Sequence, residues 1–514
     1  MQELRELINI ALGWRTKRAN TINYIRGSKK SLANKLISDI YDGKINTDEE
    51  AEKALYGEEP NPVAYKKLKE RLRERLLTNI LFVQSNLRNE KTFAYNIFFC
   101  HKYYVIAMLL IKVSHYAAGT TLMQRVLIRA QKFHVNNIAL LAASLLRKLC
   151  VQQGDAKRFN KYSEIVKHYH AVIKAEDEAD ELHDRLMMHF AHSYAPKPEL
   201  IPAAAEAVAY IGTLKNAFGT FELHLLHFLV RNLHAQLTDN YTLAVAVCNE
   251  FEEYFFSKPA FYSKGRHGNI TMVKIDSLLC AGIYDEALRI SKETMPLFES
   301  MEGNRLIMLE LQFVIALRIK DIALAAACYK QLMAVAGSKN AYAHRIEIWQ
   351  ILGGYLWLCL NLEDSATIIA ETFGSKKAGF MQRLQQMVTI YSKDKQGVNI
   401  SLGFLQFSML LQQQDFSAAI DKAEQLKMYM YKYISRRFGA REFTFLKLML
   451  LLTKHNFNVK AVERNAKIQL KKLESLPVVA FAYNNQRVEI LEYKQLWELI
   501  IAAIKKHSPV IVNN

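Results

Sequence analysis

The residues whose types and spacing could do chemistry in this chain are mostly cationic. Between Lys427 and Lys472 there are twelve Lys or Arg and two acids, Glu442 and Glu463, so this stretch carries +10 of a formal +18. Lys460, Arg464, Lys467 and Lys471 recur at helical spacing and share one face, while Val462, Ala466, Leu470 and Leu473 take the opposite one. Just upstream, Lys432, Arg436, Arg437 and Arg441 are interleaved with Tyr429, Tyr431, Tyr433 and Phe438. Cations with aromatics between them hold phosphates and stack bases. The same face can meet an acidic protein, or simply stay solvated and pair with acids elsewhere, such as those at 176–181. The plain solvated face comes first in this ordering, the acidic protein second and nucleic acid third.

Histidines gather on two stretches. His183, His189 and His192 lie near Asp180 and Asp184, and His224, His227 and His234 fall in FELHLLHFLVRNLH. Two imidazoles at i, i+3 can reach one metal, but a site needs three or four ligands, and no H-E-x-x-H is present to supply them. Histidines packed in a core or interface are therefore expected, with no metal. Phosphate-loop, dinucleotide and nucleophile-elbow patterns are absent, so no cofactor and no catalysis are expected. An enzyme whose residues converge only in the fold is the third functional reading, after protein binding and nucleic-acid binding.

The elements that must position these groups are helices. At 514 residues the chain exceeds one compact core. Hydrophobic content is 51%, while 9 prolines and 20 glycines are few for the turns of a long β protein. The start, MQELRELINIAL, lacks the basic region and apolar core of a secretory signal. Six scattered cysteines without a C-x-x-C pair point to a reducing compartment, most simply the cytoplasm. The most apolar stretch, from Phe93 to Ile111, carries His101 and Lys102 at its centre, so a buried helix is expected there and no membrane contact.

From Thr92 onward the chain reads as consecutive amphipathic helices. Breaks are expected near Gly119, Gly154, 195–202, 218–220, 258–268, Gly303, 337–340, Gly374, Gly397 and 438–439. In the N-terminal part, Asn61-Pro62 starts a helix with Leu68, Leu72, Leu76 and Ile80 on one stripe. Opposite them lie Lys67, Glu70, Arg71, Glu74 and Arg75.

The stretch KIDSLLCAGIYDEALRISKETMPLF places Gly282, Tyr284 and Ala287 as G-x-Y-x-x-A between two apolar runs. This is the corner of a helical hairpin. Gly282 ends the first helix, Tyr284 fills the space beside the turn, and Ala287 leaves room for a helix crossing. The pattern of a large apolar residue followed by Ala recurs at Tyr241/Ala244, Ile322/Ala325 and Phe416/Ala419, and more loosely at Leu362/Ala366. Successive spacings are 43, 38, 40 and 54 residues. These residues resemble the centre of a tetratricopeptide repeat, whose regular period is ~34. The resemblance covers about residues 225–426. It implies an all-α fold, an α/α superhelix of stacked antiparallel helical hairpins with irregular repeats, and a concave surface that binds proteins or peptides. The piece LYGEEPNPVAYKKLKERLRERLL in addition resembles the N-terminal part of all-helical bacterial proteins of similar length.

Two regions are expected, a charged helical segment over 1–90 and the repeat array over 91–514, with basic helices at 427–472. The function expected is a cytoplasmic scaffold for protein–protein interaction.

Overall fold

The computed structural model describes residues 1–13, 31–57, 61–82, 93–192, 197–299, 301–336, 343–362, 365–374, 377–387, 398–433, 440–476 and 489–507. They form 23 α-helices and two short 3-10 turns, with no strand among the described residues. The chain divides into two compact units, Met1–Ile173 and Lys174–Asn514.

The first unit contains α1 (Gln2–Gly13), α2 (Leu32–Tyr41), α3 (Asp48–Tyr56), α4 (Pro62–Phe82), α5 (Phe93–Lys112), α6 (Tyr116–Lys132) and α7 (Asn136–Gln153). The unit boundary falls inside α8 (Ala156–His192). In the second unit follow α9 (Lys197–Phe218), α10 (Phe221–Leu237), α11 (Tyr241–Phe256), α12 (Lys264–Cys280) and α13 (Tyr284–Thr294). Then come α14 (Glu302–Arg318), α15 (Ile322–Ala336), α16 (Ala343–Leu362), α17 (Ala366–Phe373) and α18 (Lys377–Gln386). The chain ends in α19 (Val398–Gln412), α20 (Phe416–Tyr433), α21 (Ala440–Lys454), α22 (Val459–Ser475) and α23 (Tyr493–His507).

Residues 1–76 hold a small core of their own, with Leu4, Ile8, Ile37, Ile40, Leu72 and Leu76 packed together. Thr47 and Glu50 cap α3 reciprocally, each side chain accepting from the other's backbone N–H. The stripe expected on α4 is buried at Leu72 and Leu76, and Lys67, Glu70, Arg71 and Glu74 are exposed. The Ile80 side chain lies outside the described residues.

One turn recurs through the molecule. Gly219 and Phe457 aside, seven residues with left-handed backbone each end a helix whose successor begins two residues later. These residues are Ser114, His134, Gly154, Asp239, Gly282, Lys320 and Gln414, with φ between 49° and 75°. After each, a backbone N–H donates to the carbonyl five residues back at 2.8–3.0 Å, as from Ile283 to Leu278. That bond satisfies a carbonyl the helix end would leave orphaned. Two residues make the turn at Gly154 and three at the other six, where the consecutive helices run antiparallel and pack side by side.

Ala244, Ala287, Ala325 and Ala419 have no exposed surface, and Tyr241 and Ile322 are buried beside them. Tyr284 and Phe416 are partly buried against the same core. Close approach is supplied elsewhere by glycine within helices. A Cβ on Gly353 would come within 2.4 Å of the Tyr329 hydroxyl, and one on Gly119 within 2.6 Å of Ile111. Gly119 is thus a packing residue inside α6; the break expected there falls at 113–115 instead. Gly268 likewise lies inside α12 and Gly303 in the first turn of α14. The breaks expected at 337–340, Gly397 and 438–439 lie outside the described residues.

A larger correction concerns α5. Only 17% of its apolar window is buried, chiefly Asn96, Cys100 and Ala107. The helix expected to be buried packs on α6 along one side and is open on the other.

In the second unit the helices alternate between two rows. The first helices of the hairpins are α10, α12, α14, α16, α19 and α21. In α14, α16 and α19 this row is buried on every side over long stretches: residues 308–318, 351–360 and 399–409 are buried without a break, while Lys447 on α21 is exposed. The cause is α23, which folds back across it. Tyr493 stacks on Phe445 at 4.8 Å and meets Phe404 edge-on at 5.5 Å. Arg318 donates to the Glu489 carbonyl at 2.6 Å, and Gln495 donates to the Arg318 carbonyl at 2.7 Å. Tyr284, the residue of the hairpin corner, donates to the Glu492 carboxylate. The turn tyrosine therefore also ties down the C-terminal helix.

Candidate partner-binding surfaces

Where α23 does not reach, the first-helix row is open. The second half of α8 with α10 and α12 encloses a cleft of about 350 Å³. Its floor is apolar, formed by Met187, Phe190, Leu225, Phe228, Leu229 and Val273. On α10, Leu225, Leu229 and Gln236 stand at i, i+4 and i+11 and are half-buried on the face that lines the cleft. Polar groups line it too: Arg266, Asn269 and Gln236, together with the buried Asn232 and Asp276. Arg266 lies 4.7 Å over the Phe221 ring and donates to the Phe261 carbonyl at 3.3 Å. Burial pulls its guanidinium below its ordinary value, with Glu222 opposing the shift. Burial also raises the Glu222 carboxyl, which Arg266 in turn lowers.

Asn232 fixes the floor. Its amide donates to Ser277 Oγ at 3.0 Å and to the Ala244 carbonyl at 3.3 Å, and it accepts from Gln236 at 2.9 Å. One buried side chain thereby joins α10, α11 and α12. A single Asn within FELHLLHFLVRNLH is the sequence signal for this, and the histidines there drew attention away from it.

Those histidines are packing groups. His224 stacks on Tyr254 at 4.0 Å. His227 is pushed down to about 4 by burial first and by Lys215 and Arg231 second. Asp180, His183 and Asp184 bring one ligand atom each within 4.8 Å of one another, but the two acids are exposed. His189 is exposed, and the side chain of His192 lies outside the described residues. All six cysteines are buried, and none is in a disulfide. Burial raises the Cys248 thiol to about 12 and that of Cys328 to about 11, so neither offers a thiolate.

The cationic row on α22 is arranged as its spacing implies. Lys460, Arg464, Lys467 and Lys471 are exposed, while Val462, Ala466 and Leu473 are buried. Within the same face Glu463 is paired with Lys505 at 2.7 Å. Lys432 is exposed beside Tyr433, 5.2 Å from its ring. Arg436 and Arg437 lie outside the described residues. Arg441 is a correction: it is buried, held by Glu489 and by the carbonyls of Leu473 and Leu476 at 2.7 Å each. It braces the fold and is closed to a partner.

No family model, no curated protein and no solved structure matches this chain.

Proposed function

We propose that the chain is a tetratricopeptide-like, bacterial helical-repeat protein that works inside the cell as a binding module, taking an apolar anchor of a partner protein into the cleft between α8, α10 and α12. One observation carries this reading: α23 folds across the first-helix row after α12 and leaves it open here, over a mostly apolar lining with the buried polar groups Asn232 and Asp276. A cleft of this volume is within the ~300–1,000 Å³ range of binding pockets and takes one or two large side chains. Arg266, Gln236 and Asn269 at its margin can hydrogen-bond the backbone that carries them. Six cysteines outside any disulfide fit a reducing cytoplasm. The role is binding, without a cofactor or a metal.

Leu229 and Val273 face the cleft and are half-buried. Leu229→Glu and Val273→Glu should leave the helical content intact and abolish capture of the partner. Retained capture by both folded variants would sink the reading.

The exposed row on α22 supports a second reading, nucleic-acid binding. Each phosphate contact contributes roughly 0.7–0.9 to the slope of log affinity against log salt. Changing Lys460, Arg464, Lys467 and Lys471 together to Gln would then flatten that slope by about 3. Absence of nucleic-acid binding by the parent at physiological salt would dismiss this reading. An acidic partner protein would instead lose affinity in the Gln variant without any general affinity for nucleic acid.

A further inference from the structure

The open side of α5 is an apolar surface with an unusual electrostatic setting. The helix is apolar apart from Asn96, His101, Lys102 and Lys112, and strongly apolar helices are buried in a core or in lipid. Here α6 covers only one side. On the uncovered side Val105, Met108, Leu109 and Val113 are exposed, from 38% to 61%. Val105, Met108 and Leu109 stand at i, i+3 and i+4, so they form one stripe, which Lys112 joins. Ile128 on α6 is exposed as well, at 67%.

From Phe93 to Gly154, across α5, α6 and α7, there are seven Lys or Arg and no Asp or Glu. The chain averages 50 acids over 514 residues, so a stretch of 62 residues would carry about six. Lys112, Arg125, Lys132 and Lys148 are exposed. An exposed apolar stripe within an acid-free, cationic set of helices complements an anionic lipid surface. Apolar side chains enter the headgroup boundary, and Lys and Arg meet the phosphates. A second copy of the chain fits poorly, because it would set these cations against their own duplicates.

We propose that this face of α5 docks on anionic membrane surfaces, lying on the bilayer without crossing it. At 20 residues and a mean hydropathy of 1.4, α5 is long and apolar enough to span. Spanning would carry α6, packed along it, into the hydrocarbon together with Arg125 and Arg129, which is costly. Docking in the interface needs no such burial. The face belongs to the first unit, so the inference stands apart from the cleft described above.

The test is flotation of the full chain with vesicles of phosphatidylcholine, alone or mixed with phosphatidylglycerol. Expected is flotation with the mixed vesicles only, weakening as salt is raised. Lys112→Gln, Lys132→Gln and Lys148→Gln together should lower the affinity on the order of a hundredfold. Val105→Asp with Leu109→Asp, both at exposed positions, should fold as the parent does and abolish flotation. Three results overturn the proposal: equal binding to both vesicle types, unchanged flotation of the Asp variant, or no flotation of the parent. In the last case, a parent dimer that the Asp variant dissociates would assign the face to a second copy.

Discussion

Arg441 and Glu489 form a buried, two-pronged ion pair. Arg441 Nη2 donates to Glu489 Oε1 at 2.6 Å and Nε to Oε2 at 2.8 Å. The Glu489 side chain has no exposed surface and also accepts from the Tyr493 N–H at 2.8 Å. It thus caps the helix that closes the first-helix row.

Removing one partner strands the other as an uncompensated buried charge. Glu489→Ala should cost ~3–5 kcal/mol in urea denaturation and open the 489–507 segment to protease. Arg441→Leu combined with Glu489→Leu should recover much of that loss, since no charge remains buried. Equal instability of single and double variants would mean that geometry, not charge, holds the segment.

Ala287 and Ala419 belong to the core of the second unit and have no exposed surface. Ala287→Leu or Ala419→Leu should each lower stability by ~1–3 kcal/mol through overpacking. Unchanged melting of both would show that the repeat register is misplaced.

His227 gives the second unit a pH dependence. Its folded value of about 4 lies below the ordinary 6.5. Between these two values the unfolded chain binds the extra proton, so stability rises with pH across the window and is fully present above it. The ring is partly solvated, so the slope should reach at most ~1 kcal/mol per pH unit. In His227→Leu the unfolding free energy, measured between pH 4 and 7, should lose that slope. A slope equal to the parent's would assign it to other groups.

The hairpins were legible in the sequence because Tyr284 and Ala287 mark them locally. The turns were only partly so. Where Gly282 takes the left-handed position the sequence announces it, but Asp239, Lys320 and Gln414 take the same backbone without the glycine that signals it. The closure by α23 was not legible, since Glu492 meets Tyr284 across 208 residues and Glu489 meets Arg441 across 48. Arg441 was read as part of a patch because a run of cations does not distinguish exposed from buried members. For α5, an apolar helix pattern says that the helix needs a cover, without saying whether protein supplies it.

A protein seated in the cleft between α8, α10 and α12 would lie within crosslinking reach of Val273. The most direct measurement is photo-crosslinking in the source cell, with p-benzoylphenylalanine in place of Val273 in the full chain. A control carries the same group in place of Arg289, exposed on α13 in the other row. The account predicts one discrete protein adduct from position 273 and none from position 289. No adduct from 273, the same adducts from both positions, or an adduct with nucleic acid would contradict it.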